Sequence, residues 1–226
     1  MSAHYLPGSP PVPLVLRQSA RARRISLRIS RLDGRVTLTL PKRVSVHEAM
    51  DFARSKEAWI RKHLEERPED CVVEIGAAIP VEGVARRISA VSGRRVQLGA
   101  DEIGVPGRAV PARLQSWLKE LARDRLAAAS DHYASALGRS YTRITLRDTR
   151  SRWGSCSSEG ALMYSWRLIM APPEVLDYVA AHEVAHLVEM NHSPAFWALV
   201  EKLYGPYDAP RKWLRVEGNA LHRYRF

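Results

Sequence analysis

His182 and His186 stand four residues apart in a run of helical character, and this spacing constrains the fold more than any other feature of the chain. On a helix two such imidazoles point the same way, about 6 Å apart along the axis. The helix has clear start signals. Pro172 and Pro173 suit its first positions, Glu174 favours its first turn, and the apolar run Val175–Ala181 leads into the histidines. No proline or glycine interrupts residues 174–190, so the helix is expected to reach Met190. The chain is then expected to turn at Asn191, a residue that tolerates the left-handed conformation.

Paired imidazoles at this spacing suit one zinc ion. Glu183 lies about 100° around the helix from His182, so it is placed to act on a water rather than to bind the metal. His192 follows after the turn and would supply a third ligand. Three protein ligands with an open fourth position are the pattern of a catalytic zinc, one per chain. Glu189 and Glu201 compete as third ligands. Glu189 lies too close along the helix, Glu201 has a longer spacing, and His192 is preferred. A zinc ion lowers the pKa of bound water from about 15.7 to about 7. With Glu183 as the catalytic base, that chemistry suits attack on a carbonyl and hence peptide hydrolysis.

The segments Arg152-Trp-Gly-Ser-Cys-Ser-Ser158, Trp166-Arg-Leu168, His182-Glu-Val-Ala-His186, Asn191-His-Ser193 and Phe196-Trp197 together resemble the YgjP-like metallopeptidase family. That family is similar to the SprT-type and WLM-type zinc proteases. Weaker matches lie near the start, at Arg23–Arg28, Asp33-Gly34, Leu40-Pro41 and Trp59-Ile60. The resemblance implies a zinc metallopeptidase with an HExxH helix, and it favours His192 as the third ligand.

Length and composition set the outer bounds. A chain of 226 residues, 46% hydrophobic and 26% charged, suits one or two small globular units. It has no apolar stretch long enough to span a bilayer and no signal-peptide pattern, so no membrane partner is expected. Two cysteines, Cys71 and Cys156, are too few for a disulfide framework, which points to reduced thiols in a cytoplasmic protein. The net charge of +11 is uneven: Arg17, Arg21, Arg23, Arg24, Arg28, Arg31 and Arg35 have only Asp33 among them. Such a cluster is able to bind phosphates. Besides a peptide or protein substrate, a nucleic-acid partner through this part therefore stays open, as a nucleic-acid-associated zinc module. A metal-dependent phosphoanhydride hydrolase is a weaker alternative, since no phosphate-cradling glycine loop accompanies the charge.

The expected class is α+β: a β-rich N-terminal part followed by a minimal zincin-like domain. Residues 1–13 are expected to form a flexible tail. Residues 14–110 are expected to form a β-rich domain with one helix, and residues 111–226 the zincin-like metallopeptidase domain. In the first part, 14–16 and 25–29 read as strands, and 28–40 as a hairpin turning at Asp33-Gly34. Ser45 caps a helix with Glu48 at the capping-box position. In the second, Leu114 to Leu137 recur at helical spacing until Gly138. Residues 143–147 and 161–169 read as strands, 152–158 as a loop, and 194–204 and 210–221 as helices.

Overall fold

The computed structural model describes residues 4–30, 33–65 and 69–226. Arg31 and the first residues of the expected tail lie outside them. The protein is mixed α+β and divides into two compact units, Met1–Glu69 and Asp70–Phe226.

In the first unit, strands β1 (His4–Leu6), β2 (Val12–Ser19), β3 (Ser26–Ile29) and β4 (Val36–Pro41) form a sheet in the order β1-β2-β4-β3. The expected hairpin is present as the antiparallel pair β3–β4, and β2 adds to the other side of β4 in parallel. Alternation along the strands sorts the side chains by face. Leu6, Val12, Leu14, Val36, Leu38 and Leu40 are buried with Ala49, Ala53 and Ile60 of two helices, α1 (Val46–Ser55) and α2 (Glu57–Glu65). Arg17 and Arg28 are exposed, and Arg35 pairs with Asp33 at 2.9 Å.

Two expectations change here. Residues 4–13 are no loose tail: β1 pairs antiparallel with β2, and Leu6 and Val12 anchor it in the core. The single expected helix is two. Ser45 and Glu48 form the expected reciprocal capping box, but α1 ends at Lys56, whose backbone N–H bonds back to Ala53 and Arg54.

The second unit begins with β5 (Cys71–Val72). A sheet follows in the order β6-β7-β9-β8, from β6 (Ala78–Val81), β7 (Val84–Val91), β8 (Gln97–Leu98) and β9 (Glu102–Pro106). The long helix α3 (Val110–Ala136) crosses to a second sheet, order β10-β12-β11, of β10 (Arg143–Arg147), β11 (Gly154–Cys156) and β12 (Ala161–Ser165). A 3-10 segment, Trp166–Met170, leads into α4 (Pro173–Ala185), then α5 (Pro194–Tyr204) and α6 (Asp208–Val216). A second 3-10 segment, Gly218–Arg223, precedes β13 (Tyr224–Arg225), which pairs in parallel with β5.

The division therefore falls after Glu69, not at 110. Ile79, Val81, Ile88, Ile103 and Val105 share one core with Leu114, Leu118 and Leu126 of α3 and with α4. The change of character near Pro111 marks a switch from strands to helix within one core, not a boundary between cores. Helix α4 is buried along most of its length, with Ala180, Ala181 and Ala185 letting neighbours approach closely. No helix among the described residues is long and apolar enough to cross a membrane.

Candidate metal centre

Helix α4 starts as its sequence predicts, with Pro172 as N-cap and Glu174 in the first turn. Its end differs. The helix stops at Ala185 with His186 as its C-cap, and the chain tightens through Leu187 N–H to Val184 O and Val188 N–H to Ala185 O. Asn191 is not left-handed; the described non-glycine residues with positive φ are Glu82 and Ala109. The reversal is thus made by tight turns from His186 onward. Ser193 then accepts from the Phe196 N–H and caps α5.

This path brings the three histidines together. Their ligand-capable atoms all lie within 4.8 Å of one another, and His182 Nε2 stands 3.0 Å from His192 Nε2. His186 Nδ1 lies 2.9 Å from the Glu189 carbonyl. A carbonyl only accepts, so Nδ1 carries the proton and Nε2 keeps its lone pair. Glu189 thus contributes its backbone rather than its carboxylate. Glu201 is exposed on α5 and is not part of the cluster.

Phe196, fully buried, lies against all three imidazoles, with ring centroids 4.9, 4.4 and 4.8 Å from His182, His186 and His192. Trp197 flanks His182 and His192, Tyr207 stacks on Trp197, and the Arg211 guanidinium sits 4.4 Å from the Trp197 ring. The aromatic residues near the motif therefore pack around the histidines.

Burial sets the protonation states. It pushes His182 down to about 3, helped by the neighbouring His186 and His192, and it lowers His186 as well. Neutral imidazoles offer the lone pairs that a metal requires. Glu183, 6% exposed, is pushed up to about 8 by burial, with Arg152 opposing. Three imidazole nitrogen donors beside one buried carboxylate are a donor set that fits a divalent cation such as zinc.

A cavity of about 450 Å³ opens over this cluster. His182, Glu183, His186 and His192 line one side, and Arg152, Gly154 and Cys156 line the other. Residues 152–158, expected to be a loop, contain the edge strand β11 at 154–156. Gly154 is required there, because a Cβ would lie 2.5 Å from Glu183 Oε1. Burial and the nearby Glu183 push the Cys156 thiol up to about 11, and Cys156 is not part of the three-histidine cluster.

Arg167 is buried, pairs with Asp148 at 2.6 Å and donates to the Leu221 and Tyr224 carbonyls. Tyr204 donates to the Glu174 carbonyl. Tyr204, Tyr207, Arg211 and His222 do not line the cavity.

The curated proteins give no match. Among solved structures, the crystal structure of the metallopeptidase zymogen of Pyrococcus abyssi abylysin is similar at 22% identity, covering 41% of this chain and 95% of that chain, with a TM-score of 0.36. The family described as YgjP-like, metallopeptidase domain, matches residues 23–217, and the chain belongs to it.

Proposed function

We propose that this protein is a zinc-dependent peptidase of the zincin type, holding one zinc ion through His182, His186 and His192. The observation that carries the reading is the convergence of three imidazole donors, within 4.8 Å of one another, beside the buried carboxylate of Glu183. When bound, zinc supplies Lewis acidity, which acidifies water and polarises the scissile carbonyl.

The chain's own residues do the rest. Glu183 takes the proton of the attacking water and delivers it to the leaving amine. Its burial supports this role, because a carboxylate kept from bulk water is a stronger base than an exposed one. Gly154 lets the strand run close against Glu183. Among the described residues β11 pairs only with β12, so its other edge is available to pair with an extended substrate.

Elemental analysis of purified protein tests the reading, together with a peptide-library screen. About one zinc per chain is expected for the wild type, and loss of zinc and of cleavage for His186→Ala. Equal zinc in both proteins would overturn the ligand set.

A further inference from the structure

We propose that a second cavity beside the metal cluster is a subsite for an acidic substrate side chain, with Arg139 as its charge-reading residue. The inference rests on the peptidase reading and names a specificity that the reading leaves open.

The cavity measures about 420 Å³ and lies between the Gly138–Ser140 and Ser157–Gly160 segments, with Leu187 also in its wall. It shares His186 and Met190 with the metal cavity, so the two are adjacent. The turn at Ser157–Gly160 directly continues β11. A peptide paired with β11 at the metal advances about 3.3 Å per residue. Gly154 faces Glu183 and the turn begins at Ser157, so such a peptide reaches the turn about three residues from the bond to be cut.

Both walls are fixed by backbone hydrogen bonds. At the end of α3, Gly138 N–H bonds to Ser135 O and Arg139 N–H to Ala134 O, with Gly138 at φ +59°. This is the paired closure of a Schellman motif, and it sets where Arg139 leaves the helix. Opposite, Ser157 Oγ accepts from the Glu159 and Ala161 N–H groups, and Gly160 closes the turn at φ +73°. Neither wall needs to be ordered by the substrate, which removes part of the entropic cost of binding.

The charges decide the preference. Arg139 is exposed, and among the described residues no ion pair includes it. Glu159, the acid in the opposite wall, accepts from Ser158 Oγ and has Arg143 close enough to favour its ionised form. Glu159 is thus engaged by Ser158 and Ser157 with the Arg143 guanidinium near it, whereas the Arg139 guanidinium is left for an incoming group. A carboxylate entering between the walls gains a charge-assisted hydrogen bond, whereas an ammonium meets an unpaired guanidinium.

The test uses zinc-loaded full-length protein and pairs of peptides from the library screen that differ by Glu or Lys at one position near the cleaved bond. The wild type should favour Glu by about tenfold in kcat/KM, a size suited to a partly solvated charged contact. Arg139→Glu should reverse the preference without changing zinc content. The same peptides are also titrated, without turnover, onto Glu183→Gln protein with and without Arg139→Glu. Cleavage of both peptides at a ratio unmoved by Arg139→Glu overturns the subsite and leaves the peptidase reading standing. Charge-selective binding that Arg139→Glu reverses, with no cleavage by the wild type, overturns the peptidase reading and supports the subsite.

Discussion

Glu183 is held where water is scarce, on the same helical turn as His182, and its worth depends on how closely the surrounding backbone fits it. Glu183→Gln should keep the bound metal and lower turnover by roughly 10²–10⁴-fold, the usual range for a general base. Metal analysis and kcat on the same sample separate the two possible roles, since a variant that loses zinc makes Glu183 a ligand. Gly154→Ala tests the fit from the other side. Its Cβ would meet Glu183 Oε1 at 2.5 Å, so the carboxylate must swing away. Turnover should drop at least tenfold with zinc retained, about 1.4 kcal/mol or more in the barrier; unchanged turnover would show that Glu183 works from another position. At this scale the sequence was half legible. The spacing of His182, Glu183 and His186 is a property of one helix and reads directly. The contact of Gly154 with Glu183 joins segments some thirty positions apart, and no local pattern announces it. The glycine inside Trp153-Gly-Ser-Cys156 was the available signal.

The same division between local and tertiary causes holds for the elements. The capping box at Ser45 and Glu48, the stop at Gly138 and the helix Pro194–Tyr204 were readable because caps and breakers act within a few residues. Strand β6 was missed. It is joined to β7 by the two-residue turn Glu82-Gly83, in which both residues have positive φ, and Glu82 gives no turn signal by itself. The early end of α4 was missed for another reason: its last turn is set by tight backbone bonds and by the packing of Phe196 beneath the histidines, not by a breaker. His192 is therefore delivered by the short segment between α4 and α5, and the cap of α5 at Ser193 fixes the end of that segment. Ser193→Ala should cost about 1 kcal/mol of stability, as lost N-caps do. Because the lost order falls next to His192, zinc affinity should weaken several-fold, far less than for His192→Ala. A competition titration with a chelator gives both constants, and a Ser193→Ala protein with wild-type affinity would show that His192 is positioned independently of the cap.

At the scale of the whole second unit, the chain's last residues return to its first: β13 pairs with β5, and Arg225 binds Asp70 at 2.9 Å. Arg167 ties this closure inward through Asp148 and the Leu221 and Tyr224 carbonyls. The boundary after Glu69 was unreachable from sequence periodicity, which pointed to 110 instead, because this closure pairs residues more than 150 positions apart. His222 sits within the closure, 6% exposed, with its ring 5.3 Å from that of Trp153. Burial and the Arg167 guanidinium push its pKa down to about 4. An unfolded histidine titrates near 6.5. Between these values the unfolded chain binds a proton that the folded chain does not, so stability is full above about pH 6.5 and falls as the pH drops towards 4. The shift corresponds to at most about 3 kcal/mol. His222→Phe keeps an aromatic ring against Trp153 and removes the proton site. Denaturant unfolding of full-length wild type and variant at pH 7.5 and pH 5 should show the variant losing less stability on acidification, by about 1–2 kcal/mol. Groups away from His222 titrate alike in both proteins and cancel in the difference, which leaves His222 and the Asp148 carboxylate that faces it. Equal losses would mean that acid opens this closure through the Arg167–Asp148 pair rather than through His222.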